Sequence, residues 1–237
     1  MSPVGRCGLD DCPVPEPDPS ILKKLRTRVL AAGTVLHRGV KQDHPDTTQL
    51  PGLGNTRFAP LEGVAHAYVA TTAFAALLES AFHEATPPDR RIYQWQIHAW
   101  LEGCVALAEG VRLVNLGDGE LDRLGIARAQ LVATDANHYP CTRAWAEVLH
   151  GRSVGGQMTD GVVWDSRQTE LQAEGLADRP ALAELVTELP ATVAVIWSPP
   201  AGEQVLTVAD GGLGPLNDPD ATGYIDDLVA TLGIVVE

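Results

Sequence analysis

The sequence predicts a single α+β domain, and three observations carry that expectation. Short apolar runs bounded by Gly and Pro recur as strand candidates. Helix-like stretches with capping and glycine-stop signals are interspersed among them. No internal repeat, linker or regular strand–helix–strand alternation divides the chain. At 237 residues with a 45% hydrophobic share, the chain can bury one sizeable core. Residues 1–19, with the run Pro13-Val-Pro-Glu-Pro-Asp-Pro19, are too rich in Pro and acid to offset their ordering entropy and read as a mobile tail. The domain is expected over 20–237.

Taken in order, Ser20 caps an expected helix over 21–32, with Leu22, Leu25, Val29 and Leu30 on one side and Gly33 as the stop. Residues 34–38 read as a strand ending before Gly39. The polar stretch 40–56 is a long loop of the kind that often carries function. After Arg57-Phe58 and a turn at 60–63, a strand beginning at Tyr68 feeds a helix running to His83, with Thr71 or Thr72 as N-cap. A single carboxylate, Glu79, interrupts its Ala/Leu/Phe run. Pro87-Pro88 ends that helix. Residues 91–101 alternate and read as a long half-buried strand, followed by strand candidates at 104–108 and 111–116. Short helices are expected at 118–124, closed by Gly125, and at 127–132, and a better one at 141–150 opened by Pro140. A turn and strand follow at 160–166 and a weak helix at 180–189. Residues 194–197 and 205–208 are read as a hairpin across Pro199–Gly202, then a helix at 224–232 and a strand at 234–236.

Composition removes several function classes. A net charge of −14 argues against a general nucleic-acid binder and against an anionic membrane surface, but a small anionic ligand needs only a local cationic pocket. The four cysteines, Cys7, Cys12, Cys104 and Cys141, show no paired zinc spacing and read as ordinary reduced thiols, so no metal is expected. Without a signal pattern or an apolar run of about 20 residues, a cytoplasmic protein is expected. Gly52-Leu-Gly54-Asn-Thr-Arg57 lacks the third glycine of a dinucleotide fingerprint, and His83-Glu84 does not extend to a zincin motif. Gly151-Arg-Ser153-Val-Gly155 matches a nucleophile-elbow pattern, yet it follows a helix, and all seven histidines precede Ser153, against the hydrolase order. The five tryptophans are assigned to packing.

Four residues could converge as a site: Arg38 at a strand end, Tyr68 at a strand start, Glu79 within the helix and Ser166 after a strand. By pattern alone each has a plainer reading. Glu79 shares a stripe with Thr72 and His83 that could simply face water.

The ordered set His37-Arg38, Arg57-Phe58, Ala67-Tyr-Val-Ala-Thr-Thr-Ala-Phe-Ala-Ala-Leu-Leu-Glu79 and Asp160-Gly-Val-Val-Trp-Asp-Ser166 resembles the RES domain family, most strongly over 34–166. That resemblance implies an ADP-ribosyltransferase-like split β-sheet core with surrounding helices. It implies a toxin of a bacterial toxin–antitoxin pair that takes NAD as substrate, by hydrolysis or phosphorolysis, without a metal. It further implies Glu79, Arg38 and Ser166 as catalytic residues, with Arg38, Tyr68, Arg57 and Ser166 binding NAD. The partners implied are NAD and an Xre-like antitoxin, with a homo-oligomer as a further option. A protein ADP-ribosyltransferase of the same fold and a non-catalytic binding domain stand as alternatives. Where the family has an aromatic residue after the arginine, this chain has Gly39, which removes a ring that could stack on the ligand. The chemistry suits the residue types. Nicotinamide–ribose cleavage passes through an oxocarbenium-like state that a carboxylate stabilises, and a guanidinium grips pyrophosphate.

Overall fold

The structure, a computed structural model, describes residues 6–44, 46–50, 55–85, 89–150, 152–168, 192–197 and 204–237. The expected helix at 180–189, the turn over 199–202 and the stop at 87–88 lie outside the described residues. The fold is mixed α/β around an eight-stranded sheet, in the order β1-β6-β9-β10-β3-β2-β5-β11. These strands are β1 (Thr27–Leu30), β2 (Val35–Lys41), β3 (His66–Ala70), β5 (Trp100–Leu107), β6 (Val111–Asn115), β9 (Gly161–Asp165), β10 (Thr192–Trp197) and β11 (Leu206–Pro215). All neighbours are antiparallel except β6 and β9. Two short ribbons stand apart: β4 (Arg91–Ile92) with β12 (Val235–Val236), and β7 (Ser153–Val154) with β8 (Gln157–Met158).

The sheet is split. Strands β2 and β5 pair over seven residues, from Val35 opposite Ala106 to Lys41 opposite Trp100. Strands β10 and β3 pair over five. The two blocks meet through one residue pair, His37 opposite Ala70. Beyond that pair, β2 and β3 diverge.

The gap is spanned by α2 (Ala73–Leu78). Thr72 caps it as expected, its Oγ1 accepting the Ala75 N–H at 3.2 Å. Phe74, Leu77 and Leu78 are buried with Ile225, Leu228 and Leu232 of the last helix, α7 (Pro219–Leu232). Ala75 and Ala76 join the main core under Phe58, Trp145 and Trp164. The helix comes very close to β2. A Cβ built on Gly39 would lie 2.1 Å from Ser80 Oγ and 2.7 Å from Ser80 Cβ. Gly39 is therefore a contact of this helix with the strand. With Ser80 where it is, the position has no room for a ring.

Several elements differ from the sequence expectations. The helix expected over 21–32 is one turn, α1 (Pro19–Leu22), capped by Asp18. Residues 27–30 instead form β1, whose backbone groups pair with β6. Leu22 and Leu25 are buried as the helical pattern demanded, but Val29 is exposed: sheet pairing overrode helix spacing. The strand expected over 91–101 breaks into β4, α3 (Gln94–His98) and β5. The Tyr93 N–H donates to Gln96 Oε1 at 2.9 Å, a capping interaction that starts the helix. Tyr93 and Trp95 stack on each other in solvent, so Trp95 does not serve the core. Strands β10 and β11 are not a hairpin: β10 lies between β9 and β3, and β11 pairs with β5 at the far edge. Ser153 lies in β7, whose turn to β8 has Gly155 and Gly156 at φ +62° and +83°, the geometry of a tight two-residue hairpin and not of a nucleophile elbow.

Helices α4 (Asp118–Leu124), α5 (Arg128–Leu131) and α6 (Tyr139–Leu149) follow, and the stretch expected as a mobile tail lies along α6 where it is described. Val14 is buried in the main core and Trp145 Nε1 donates to Pro15 O at 2.7 Å.

Replacing Gly39 by Ala should cost about 1–3 kcal/mol through overpacking against α2. Denaturant unfolding checks this, and a second change, Ser80→Gly, should recover part of the loss.

Candidate functional site

A cleft opens where β2 and β3 part. Its lining includes Arg38 and Gly39 of β2, Tyr68 of β3, and Ala76, Glu79 and Ser80 on or just after α2. Glu79 is the C-cap of α2, so the helix axis, not the polar stripe, delivers its carboxylate to the split. Ser166, buried just past the end of β9, donates its hydroxyl to Glu79 Oε1 at 2.6 Å. That bond fixes the carboxylate against the rotamer freedom of a long side chain.

Tyr68 is half-buried, packed edge-on against Trp164 at 6.0 Å between ring centroids. Its hydroxyl oxygen accepts the Phe58 N–H at 3.1 Å. Burial pushes its ionisation up to about 12, outweighing the Thr56 and Phe58 hydrogen bonds and the nearby Arg57 charge. Arg57 follows the long loop. Its Nη1 donates to Thr134 O at 2.9 Å, and its guanidinium lies over the Tyr139 ring at 5.2 Å. Burial lowers its pKa, while Tyr139, Glu79 and Tyr68 pull it back up, which places this cation within electrostatic reach of the cleft carboxylate.

Arg38 is placed differently from its neighbours. Strand alternation sends His37 and Gly39 toward α2, and Leu36 and Arg38 to the other face. Arg38 thus borders the cleft from the β2 rim. Its Nη1 is anchored on the carbonyls of Thr47 and Gln49, at 2.6 and 2.5 Å. Gly103, opposite Arg38 in β5, lets that loop lie close, since a Cβ there would meet Thr47 Cγ2 at 2.7 Å. Burial lowers the Arg38 pKa to about 10 against the pull of Asp46, so the group keeps its charge at neutral pH.

Behind the cleft lies a buried polar centre that pattern reading passed over. Glu102 is fully buried. Its Oε1 lies 2.8 Å from His37 Nδ1, and its Oε2 accepts the Leu213 N–H at 2.8 Å. Cys104 Sγ lies 3.6 Å from the same His37 nitrogen. A lone Glu inside the apolar run Trp100-Leu-Glu-Gly-Cys-Val-Ala-Leu107 was the available signal, because a buried carboxylate demands partners. Thr134 and Tyr139, which hold Arg57, carried no signal of their own.

Arg38, Tyr68 and Glu79 thus line one cleft, Ser166 is bonded to Glu79, and Arg57 lies beside Tyr68 and Glu79 in the electrostatic sense. The arrangement sets two cations, Arg38 buried and Arg57 half-buried, beside a cleft that holds a fixed carboxylate and an aromatic side chain.

Two outcomes follow. Removing the Ser166 hydroxyl in Ser166→Ala should cost about 1–3 kcal/mol of stability, the range for a buried bond to a charged acceptor, read by denaturant unfolding. Tyr68 holds its proton more tightly when folded than at the unfolded value of about 10. Its contribution is complete below that pH and is lost as pH rises toward about 12. Wild type should lose stability over that window more steeply than Tyr68→Phe.

Comparisons with known proteins bear on the family and the fold. The RES domain model matches residues 34–198, which include all five candidate residues. A chain of the crystal structure of the M. tuberculosis MbcT–MbcA toxin–antitoxin complex superposes with a TM-score of 0.54 at 13% identity, over 90% of this chain and 98% of that one, which shows a shared fold. No curated protein matches the sequence. With a family model spanning more than half of the sequence, laid over a split sheet and its cleft, the chain belongs to the RES domain family.

Proposed function

We propose that this protein is a RES-type toxin that consumes NAD by cleaving the nicotinamide–ribose bond. The observation that carries this reading is the carboxylate of Glu79, fixed by the Ser166 hydroxyl at 2.6 Å and set in a cleft that Tyr68 also lines. Bond cleavage builds positive charge on the ribose. A carboxylate held in place before the reaction stabilises that charge without having to reorganise during it. With Oε1 bonded to Ser166, Oε2 is the oxygen that would accept a ribose hydroxyl. Tyr68 offers its ring face to the nicotinamide, and its high pKa keeps the hydroxyl neutral. Arg57 and Arg38 supply the local cationic field for the pyrophosphate, in a chain of net charge −14. Water or phosphate would take the ribosyl group.

Of the two alternatives, the non-catalytic domain drew its support from Gly39. Ser80 occupies that space, so Gly39 is accounted for by packing. Transfer to a protein acceptor would use the same cleft and the same carboxylate.

The partner implied is an antitoxin that covers the cleft, as befits a fold shared with a chain of a toxin–antitoxin complex. No helix among the described residues is long and apolar enough to cross a membrane.

Purified protein incubated with NAD and phosphate should release nicotinamide. Glu79→Gln should slow release by at least ~100-fold, the scale for removing one preorganised electrostatic group. Arg38→Ala should both slow release and destabilise the protein, because Arg38 also anchors the 46–50 loop. Unchanged NAD with folded wild-type protein would overturn the reading. Label from NAD appearing on a protein target, with no free ribosyl product, would move it to the transferase.

A further inference from the structure

Three of the four cysteines come together with one histidine, none of them in the cleft lining. Cys7 and Cys12 arrive from the N-terminal stretch. Cys141 sits in the first turn of α6, and His138 immediately precedes that helix at the end of a short 3-10 turn, Ala136–His138. Cys7 Sγ lies 3.6 Å from His138 Nδ1. Cys12 Sγ lies 3.5 Å from Cys141 Sγ. The ligand atoms of Cys7, Cys12 and His138 all lie within 4.8 Å of one another. Cys141 stands at the edge of this group: its Sγ accepts the Cys7 N–H at 3.2 Å and lies 3.5 Å from Cys12 Sγ, but it is not within 4.8 Å of all three ligand atoms.

We infer that Cys7, Cys12, His138 and Cys141 form a structural zinc site of the Cys3His type. Bond lengths of about 2.3 Å to sulfur and about 2.0–2.1 Å to nitrogen, arranged tetrahedrally, put sulfurs about 3.8 Å apart and sulfur about 3.6 Å from nitrogen. The two pair distances above sit close to those values. A small shift of Cys141 Sγ toward the other three would complete four protein ligands, as structural sites require, and leave no open position for chemistry. The Cys7 N–H on Cys141 Sγ is the kind of outer contact that offsets thiolate charge. The ligands come as two short-range pairs, Cys7-x4-Cys12 and His138-Tyr-Pro-Cys141, joined across the whole domain. This revises the expectation of ordinary thiols. Spacing among the cysteines alone does not show the half-site that supplies the histidine.

The metal would staple the N-terminal stretch to the start of α6. The surrounding contacts serve the same attachment: Pro15 on Trp145, buried Val14, and an Arg6–Glu147 ion pair at 2.5 Å. Residues next to His138 hold the cleft cation, since Arg57 lies over Tyr139 and the Thr142 hydroxyl donates to Arg57 O. The attachment therefore braces one wall of the proposed catalytic site, but the zinc inference stands without that function.

The test uses the full chain, purified under reducing conditions without chelator. Elemental analysis should find about one zinc per chain, released by a mercurial thiol reagent and detected with a chromogenic chelator. Cobalt(II) added to the metal-free, reduced wild type should give the intense visible bands of a tetrahedral thiolate site. Cys7→Ser/Cys12→Ser should lose the metal and the bands, while Cys104→Ser, outside the cluster, should keep both. Absence of zinc together with no cobalt band in the wild type would overturn the inference, and that result does not depend on any variant folding. A Cys12–Cys141 or Cys7–Cys12 disulfide in the metal-free native protein, found by mass after alkylation, would also overturn it in favour of a redox pair. None of these readouts involves NAD, so loss of the zinc site and loss of the proposed activity are separable results.

Discussion

The contact between α2 and β2 at Gly39 and Ser80 sets the geometry of everything around the cleft. It fixes the depth at which the helix lies across the split sheet, and with it the height at which Glu79, the C-cap of that helix, meets the cleft. A larger residue at 39 would lift the helix. A different residue at 80 would leave the strand without its neighbour. Both glycines of the β2–β5 pair act in this way on opposite faces, Gly39 admitting the helix and Gly103 admitting the Thr47 loop. The rim of the cleft is thus shaped by the absence of side chains as much as by their presence.

Charge is arranged in the same layered manner. The carboxylate that faces the cleft is tied by Ser166, and the one behind it, Glu102, is buried with His37 and a backbone N–H. The two arginines are held by carbonyls, Arg38 by Thr47 and Gln49, Arg57 by Thr134. Neutral acceptors orient a guanidinium without cancelling its charge, which leaves its field available to an anion. An acidic chain can therefore keep a local positive field beside the cleft.

How much of this could be read from residues alone depends on the range of the interaction. The Thr72 cap, the Gly125 stop and the strand at 161–165 are local, and their signals lie within a few positions. The region 21–32 misled because Leu22 and Leu25 fit a helix, while the partner that makes 27–30 a strand is β6, some eighty residues on. Tyr93 and Trp95 imitated a half-buried strand because exposed aromatics look the same in a pattern as buried ones. For the candidate site, the five residues were found through their order along the chain. The opposite facing of Arg38 was not legible, because it depends on where the sheet opens and on a loop lying against Gly103. The cysteine–histidine cluster was hidden for the same reason: its halves are about 130 positions apart.

The single pair of residues that joins the two blocks of the sheet, His37 with Ala70, has a mechanical meaning. Each block is stiffened by its own ladder, so bending concentrates at the joint, where only one pair of residues resists it. Helix α2 crosses that joint as a strap, and the strap ends at Glu79. A small rotation of one plate against the other would change the width of the opening while leaving both ladders intact. A protein that docked on both plates at once would set that width, and so govern the cleft from outside without entering it.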